Sequence, residues 1–226
     1  MKVDELAVVG GWPHTRATLR RWNAAPWRVL GTWALGSLAV TVALLAMTWV
    51  AASVRVPDPS PHSYPGLTRP AELADFLYVL RRNFTVLALH ALACVAGFIA
   101  GWTPPGEPPT RVQKHAAPAA ILFVTAATLF SLITQAQALG GMTADLAALL
   151  GIAPLELLAA LTPHALPELF AVFLPLAAWT MASRRGAWSE LLAATIATTV
   201  LAAPLVLLAA AVETWITPRL LIALIG

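Results

Sequence analysis

Five long stretches of this chain carry almost no charged side chains, and each is long enough to cross the roughly 30 Å of hydrocarbon in a bilayer. They cover about residues 29–53, 83–102, 117–139, 164–183 and 188–217. Hydrocarbon offers no water to bond the backbone, so a span that enters it alone has to satisfy its own peptide groups as an α-helix. The expected fold is therefore all-α: a polytopic integral membrane protein, a bundle of five transmembrane helices plus short interfacial or re-entrant helices. Composition agrees. Of 226 residues, 59% are hydrophobic and 11% charged, with a mean hydropathy of +0.75, whereas a soluble domain carries about 25% charged residues. Residues 1–28 read as a cytoplasmic basic N-terminal segment and 29–226 as a single transmembrane domain. The first apolar run follows a long polar segment without a small-residue cleavage pattern, so it is expected to remain as a helix.

Orientation follows from lysine and arginine. With the N-terminus inside and the C-terminus outside, Lys2, Arg16, Arg20, Arg21, Arg28, Arg111, Lys114, Arg184 and Arg185 are cytoplasmic, against Arg55, Arg69, Arg81, Arg82 and Arg219 outside. The loop between spans three and four then faces out and carries neither residue type. The protein is thus expected in the plasma membrane as a multi-pass chain. Trp33, Trp102, Trp179 and Trp188 are expected at the inner interface, and Trp49 and Trp215 at the outer one. The formal net charge of +3 is modest, and the basic residues flank apolar runs. That pattern points to the lipid bilayer as a partner, not to nucleic acid.

The connections are less uniform. Residues 142–162 are apolar but contain Asp145, Gly151, Pro154 and Glu156, which predicts two short helices on or in the outer leaflet, with Pro154 at a helix start. Residues 56–70 read as an irregular external loop, 71–82 as an amphipathic helix leading into span two, and 103–109 as a proline-rich cytoplasmic turn. Thr15–Trp22 reads equally as a helix on the inner headgroups or as a disordered basic lead. Pro204 is expected to kink span five. Cys94, the only cysteine, reads as a small apolar core residue.

Ionisable side chains in hydrocarbon need a partner, water or the interface. At about 1.5 Å per residue, Arg81, Arg82, Asn83, His90, Gln135, Gln137, His164, Glu168 and Glu213 all fall in the outer half of the membrane. The inner half is nearly bare of polar side chains. His164, Glu168, Glu213, Arg82, Asn83, His90 and Gln135 are the candidate polar cluster or partner-binding site. His164 and Glu168 share a face at a spacing of four, with Thr162-Pro163 or Pro167 as alternative helix starts. Zinc would need a third protein ligand, which His90 or Glu213 supplies only if the bundle brings them together. The plainer reading is a charge network that fixes helix register, with no metal and no cofactor. Gly97 and Gly101 form a small-xxx-small pattern for close helix packing. No phosphate loop, nucleophile elbow or His-Glu-x-x-His helix is present, so no catalytic residue is assigned and the chain does not read as an enzyme.

Three stretches carry a family likeness. They are Phe76-Leu-Tyr-Val-Leu-Arg-Arg-Asn83, Pro163-His-Ala-Leu-Pro-Glu-Leu-Phe-Ala171 and Ala210-Ala-Val-Glu-Thr-Trp-Ile-Thr-Pro218. In order and spacing they resemble the stage II sporulation protein M family. Ala165 stands where that family has glycine, and span three lacks its Asn-Gly start. The resemblance implies five spans, a cytoplasmic N-terminus and a scaffold that works with peptidoglycan-degrading partners outside the membrane. The leading expectation is therefore a non-enzymatic membrane scaffold for envelope-remodelling partners. One alternative is a permease-like subunit for a small solute or lipid, with a separate ATPase. Another is an intramembrane hydrolase using His164 and Glu168. Homo-oligomerisation stays open.

Overall fold

The computed structural model describes residues 7–58, 63–101 and 111–225. A short α1 (Ala7–Gly10) and α2 (Trp12–Asn23) precede α3 (Pro26–Val54), α4 (Leu73–Gly101), α5 (Arg111–Leu150) and α6 (Pro154–Arg184). A 3-10 turn (Trp188–Glu190) leads into α7 (Leu191–Ala211), a π turn (Val212–Ile216) and α8 (Thr217–Ile225). Five helical stretches are long and apolar enough to cross a membrane: Pro26–Val54, Leu73–Gly101, Pro118–Leu150, Pro154–Arg184 and Trp188–Ile225. The architecture is that of an all-α, multi-pass membrane protein. Leu35, Leu89, Phe123, Phe130 and Val200 point outward from α3, α4, α5 and α7. A soluble protein would hide such a belt, whereas lipid accepts it.

The upper end of the bundle holds residues 55–58, 63–72 and 151–153, and the lower end holds α2 and the 185–190 turn. The helix α6 is central, packing on α3, α4 and α7, while α5 lies mainly against α3. Three prolines (163, 167 and 175) sit inside α6 without ending it. Proline removes one backbone donor and pushes aside the carbonyl four residues earlier, a loss that membrane helices tolerate where polar groups of neighbouring helices are at hand. Around Pro175, Ser37 Oγ donates to the Phe170 carbonyl at 2.5 Å and Cys94 Sγ to the Pro175 carbonyl at 3.3 Å. His90 Nδ1 meets the Val172 carbonyl at 2.9 Å. Neither Thr162-Pro163 nor Pro167 starts a helix.

The segment 142–162 differs from the two short helices that Gly151 and Pro154 suggest. Its first half is the end of α5 and its second half the beginning of α6. The break is only residues 151–153. Gly151 takes φ +69, and Ile152 N–H donates to the Ala147 carbonyl at 3.1 Å, which closes the helix in a left-handed cap. Pro154 opens α6, and Glu156 reaches back to the Ala153 N–H at 2.9 Å, half of a capping box. Length rules failed here because a helix can outrun the hydrocarbon. At about 1.5 Å per residue, the 40 residues of α5 extend about 60 Å. The approach to span two behaves likewise, since α4 runs unbroken from Leu73 to Gly101.

The 63–70 part of the upper connection is folded down onto the bundle. It turns at Gly66, where φ is +80 and an added Cβ would lie 2.6 Å from Pro218. Leu67 joins Ala147, Leu157 and Leu221 in a small apolar cap. Burial, with the Asp145 carboxylate nearby, pushes the Tyr64 phenol up from its ordinary value. Arg69 grips Asp75 at the start of α4, and that hydrogen bond raises the already high Arg69 value. At the lower end, α2 packs against α7 and the 3-10 turn. Arg21 pairs with Glu190, and Trp22 meets Trp33 edge to face at 5.1 Å. The 1–28 segment therefore contributes a packed helix from its described part. Trp33 and Trp179 are core residues, 4% and 3% exposed, packed against other helices. Trp49 and Trp215 are exposed near the upper end. The irregularity in span five lies in the π turn, eight residues beyond Pro204. Trp102 and the 103–109 turn lie outside the described residues.

Candidate functional site

Three parts of the chain, more than 130 residues apart at the extremes, meet below the 63–70 turn. The first turns of α4 carry Arg82 and Asn83, α6 brings His164 and Glu168 on one face, and the π turn with α8 brings Glu213 and Thr217. His164 and Glu168 fall one turn apart because α6 is continuous across Pro167. The π turn widens the helix by one residue and re-aims the side chains around it, a device common at functional positions.

His164 Nδ1 and Thr217 Oγ1 lie 2.8 Å apart, tying α6 to α8. Asn83 Oδ1 accepts from Arg82 Nε at 3.5 Å. Glu168 lies against both Glu213 and Asn83, and Arg82 is near enough for its charge to act on His164, Glu168 and Glu213. Asn83 is 4% exposed, and His164 and Glu168 are each 8% exposed. Glu213 is half-buried and Arg82 exposed. Despite this crowding, Asn83 Nδ2, Glu168 Oε2 and Glu213 Oε2 have no partner in hydrogen-bond geometry. Two carboxyls, one guanidinium, one amide and an imidazole–hydroxyl pair thus share one packed junction.

Two of the sequence candidates stand apart from it. His90 is bound to the α6 backbone at Val172 and lies 5.7 Å from the Phe173 ring, so it ties α4 to α6 away from the carboxylates. Gln135 donates to Ser131 Oγ, one turn back on α5, at 2.8 Å. Depth alone placed both with the carboxylates, but depth says nothing about which way a helix face turns. Gly97 and Gly101 face neighbouring helices: a Cβ at Gly97 would meet Leu191 and Trp179, and one at Gly101 would meet Trp188. Thr217 was not singled out from sequence, although its place one turn beyond Glu213 was a usable signal. Among the described residues, no three His, Cys, Asp or Glu side chains are grouped as metal ligands.

Below the cluster the core is mainly apolar. Leu87, Ala171, Val172, Ala202 and Val206 pack under it, followed by Cys94, Phe98, Trp179 and Leu191. Two hollows are formed elsewhere. One, of about 120 Å³, lies at the lower end beside Trp22 and Trp33; the other, of about 420 Å³, is an open groove between α3 and α6 at Trp49 and Leu158.

Glu168→Leu is expected to lower stability in detergent by about 1–3 kcal/mol, because it strands buried polar groups without their partner. Glu168→Gln keeps the shape and most polar contacts, and should cost less than about 1 kcal/mol, in line with hydrogen bonds inside membrane proteins. Denaturant titration of both variants checks this, and equal losses would show that the cluster does not hold the helices together. No family model, curated protein or solved structure matches this chain.

Proposed function

We propose that this protein is a non-enzymatic membrane scaffold that recruits or positions cell-envelope-remodelling partners, with its N-terminus in the cytoplasm and its upper end outside. One observation carries the reading. The three stretches that resemble the stage II sporulation protein M family are the ones that meet in the polar junction, bringing Arg82, Asn83, His164, Glu168, Glu213 and Thr217 together. A junction that locks α4, α6 and α8 under a folded-down connection suits a rigid platform presented to external domains. The apolar packing around Phe98 and Trp179 beneath it speaks against a polar route for a solute through this protomer.

Affinity purification of the chain from gently solubilised native membranes tests the proposal. A peptidoglycan-degrading enzyme is expected to co-purify, and Gly66→Leu, which pushes the upper connection off Pro218, should reduce its recovery. Stoichiometric recovery of an ATPase instead would move the assignment to a transport subunit.

A further inference from the structure

The polar junction is one positive charge short. Glu168 and Glu213 bring two carboxylates, and Arg82 brings one guanidinium that acts on both. The remaining imidazole offers no remedy: His164 is buried and bound to Thr217, where a charge would be poorly solvated, and a cation there would also face the Arg82 charge. Isolated charge inside a bilayer is expensive, so the junction calls for one more unit of positive charge.

The unpartnered atoms say what form that charge takes. Asn83 Nδ2 is a donor, while Glu168 Oε2 and Glu213 Oε2 are acceptors, and all three are buried close to one another without a well-formed hydrogen bond between them. One donor and two acceptors are the complement of a single water, which accepts one hydrogen bond and donates two. A metal cation would instead lie against the amide hydrogens of Asn83. We propose that the Glu168–Glu213 pair binds one exchangeable proton, together with one water that bridges Asn83 Nδ2 to both carboxyls. The ionisable groups facing the site are Arg82 from α4, His164 from α6 and each carboxyl from the other, with the Thr217 hydroxyl added by α8. Glu213, the half-buried member, is the route of exchange. Loss of the proton leaves two negative charges against one positive, which loosens α6 from the π turn. The site therefore couples proton concentration at the upper surface to the helix junction. It does not depend on the scaffold reading.

Infrared difference spectroscopy on the full chain in lipid nanodiscs, between acidic and alkaline buffer, reads the proton directly. The relevant signal is the protonated-carboxyl band absent from the Glu168→Gln, Glu213→Gln double variant. In the wild type this band is expected to grow on acidification and to shift in heavy water. Each single Gln variant should abolish all of it, because the remaining carboxylate is balanced by Arg82. Arg82→Gln should about double it, since two carboxylates then need two protons. Loss of only half the band in each single variant would mean two independent acids and overturn the shared site. A band that never exchanges with deuterium, or one suppressed by sodium chloride but not by choline chloride, would also overturn it. These last two readings need only the wild type and the double variant that defines the band, and stand even where a single variant or Arg82→Gln fails to fold.

Discussion

A cysteine placed at Ser63 is expected to react fully with a membrane-impermeant maleimide applied to intact cells, and one placed at Arg185 only after the membrane is opened. Both side chains are exposed, so access to reagent depends on the side of the membrane and not on burial. Cys94, the only native cysteine, is 0% exposed, and Cys94→Ala gives a silent background. The expectation rests on the nine-to-five division of lysine and arginine between the two ends. Five spans put Ser63 and Arg185 on opposite sides, since α4, α5 and α6 lie between them. The effect is all or none. Labelling of Arg185→Cys but not Ser63→Cys in intact cells would invert the orientation and put the polar junction on the cytoplasmic side. Labelling of both would break the five-span count.

The largest loss of stability is expected at Gly140. A Cβ there would lie 2.5 Å from the Ala51 Cβ and 3.1 Å from both the Thr48 carbonyl oxygen and the Ala52 backbone nitrogen. None of these atoms can swing away as the end of a long side chain can. Overpacking typically costs about 1–3 kcal/mol, and because α3 itself would have to retreat, Gly140→Leu should reach or exceed about 3 kcal/mol. Gly31 supplies the contrast, since nothing stands within 4 Å of its added Cβ. Gly31→Ala should be neutral or stabilising by up to about 1 kcal/mol through helix propensity. Thermal unfolding of both variants in the same detergent separates the effects. A Gly140→Leu protein that melts with the wild type would mean that α3 and α5 do not cross closely.

The contrast between Gly140 and Gly97 shows how far the sequence could be read. Gly97 and Gly101 stand four apart, a spacing that announces close packing, and both do face other helices. Gly140 and Gly141 are adjacent and so point in different directions around α5. Nothing in their spacing says that one meets Ala51 and the other the Arg55 guanidinium. The same limit applies to the polar groups. Cost in hydrocarbon correctly marks His90, Gln135, Glu168 and Glu213 as residues that need partners. The partners differ in kind: a backbone carbonyl of α6 for His90, a serine one turn away for Gln135, and each other for the two glutamates.

What the sequence determined by itself was the class of fold and the number of long helices, because hydrophobic length and the need to satisfy the backbone are properties of each segment alone. It also marked residues 82–83, 164, 168 and 213, whose polar side chains interrupt apolar runs. Only the tertiary structure decided that α5 and α6 run on through 142–162 to a three-residue break, since a left-handed cap at Gly151 and the packing of Ile152 fix that turn. Tertiary structure alone also decided which polar residues share a site. Helix rotation is set by the side chains of neighbouring helices, so α6 can turn Glu168 toward Glu213 while α4 turns Asn83 toward them and His90 toward Val172. That choice depends on contacts between segments far apart in the chain, and no single segment contains it.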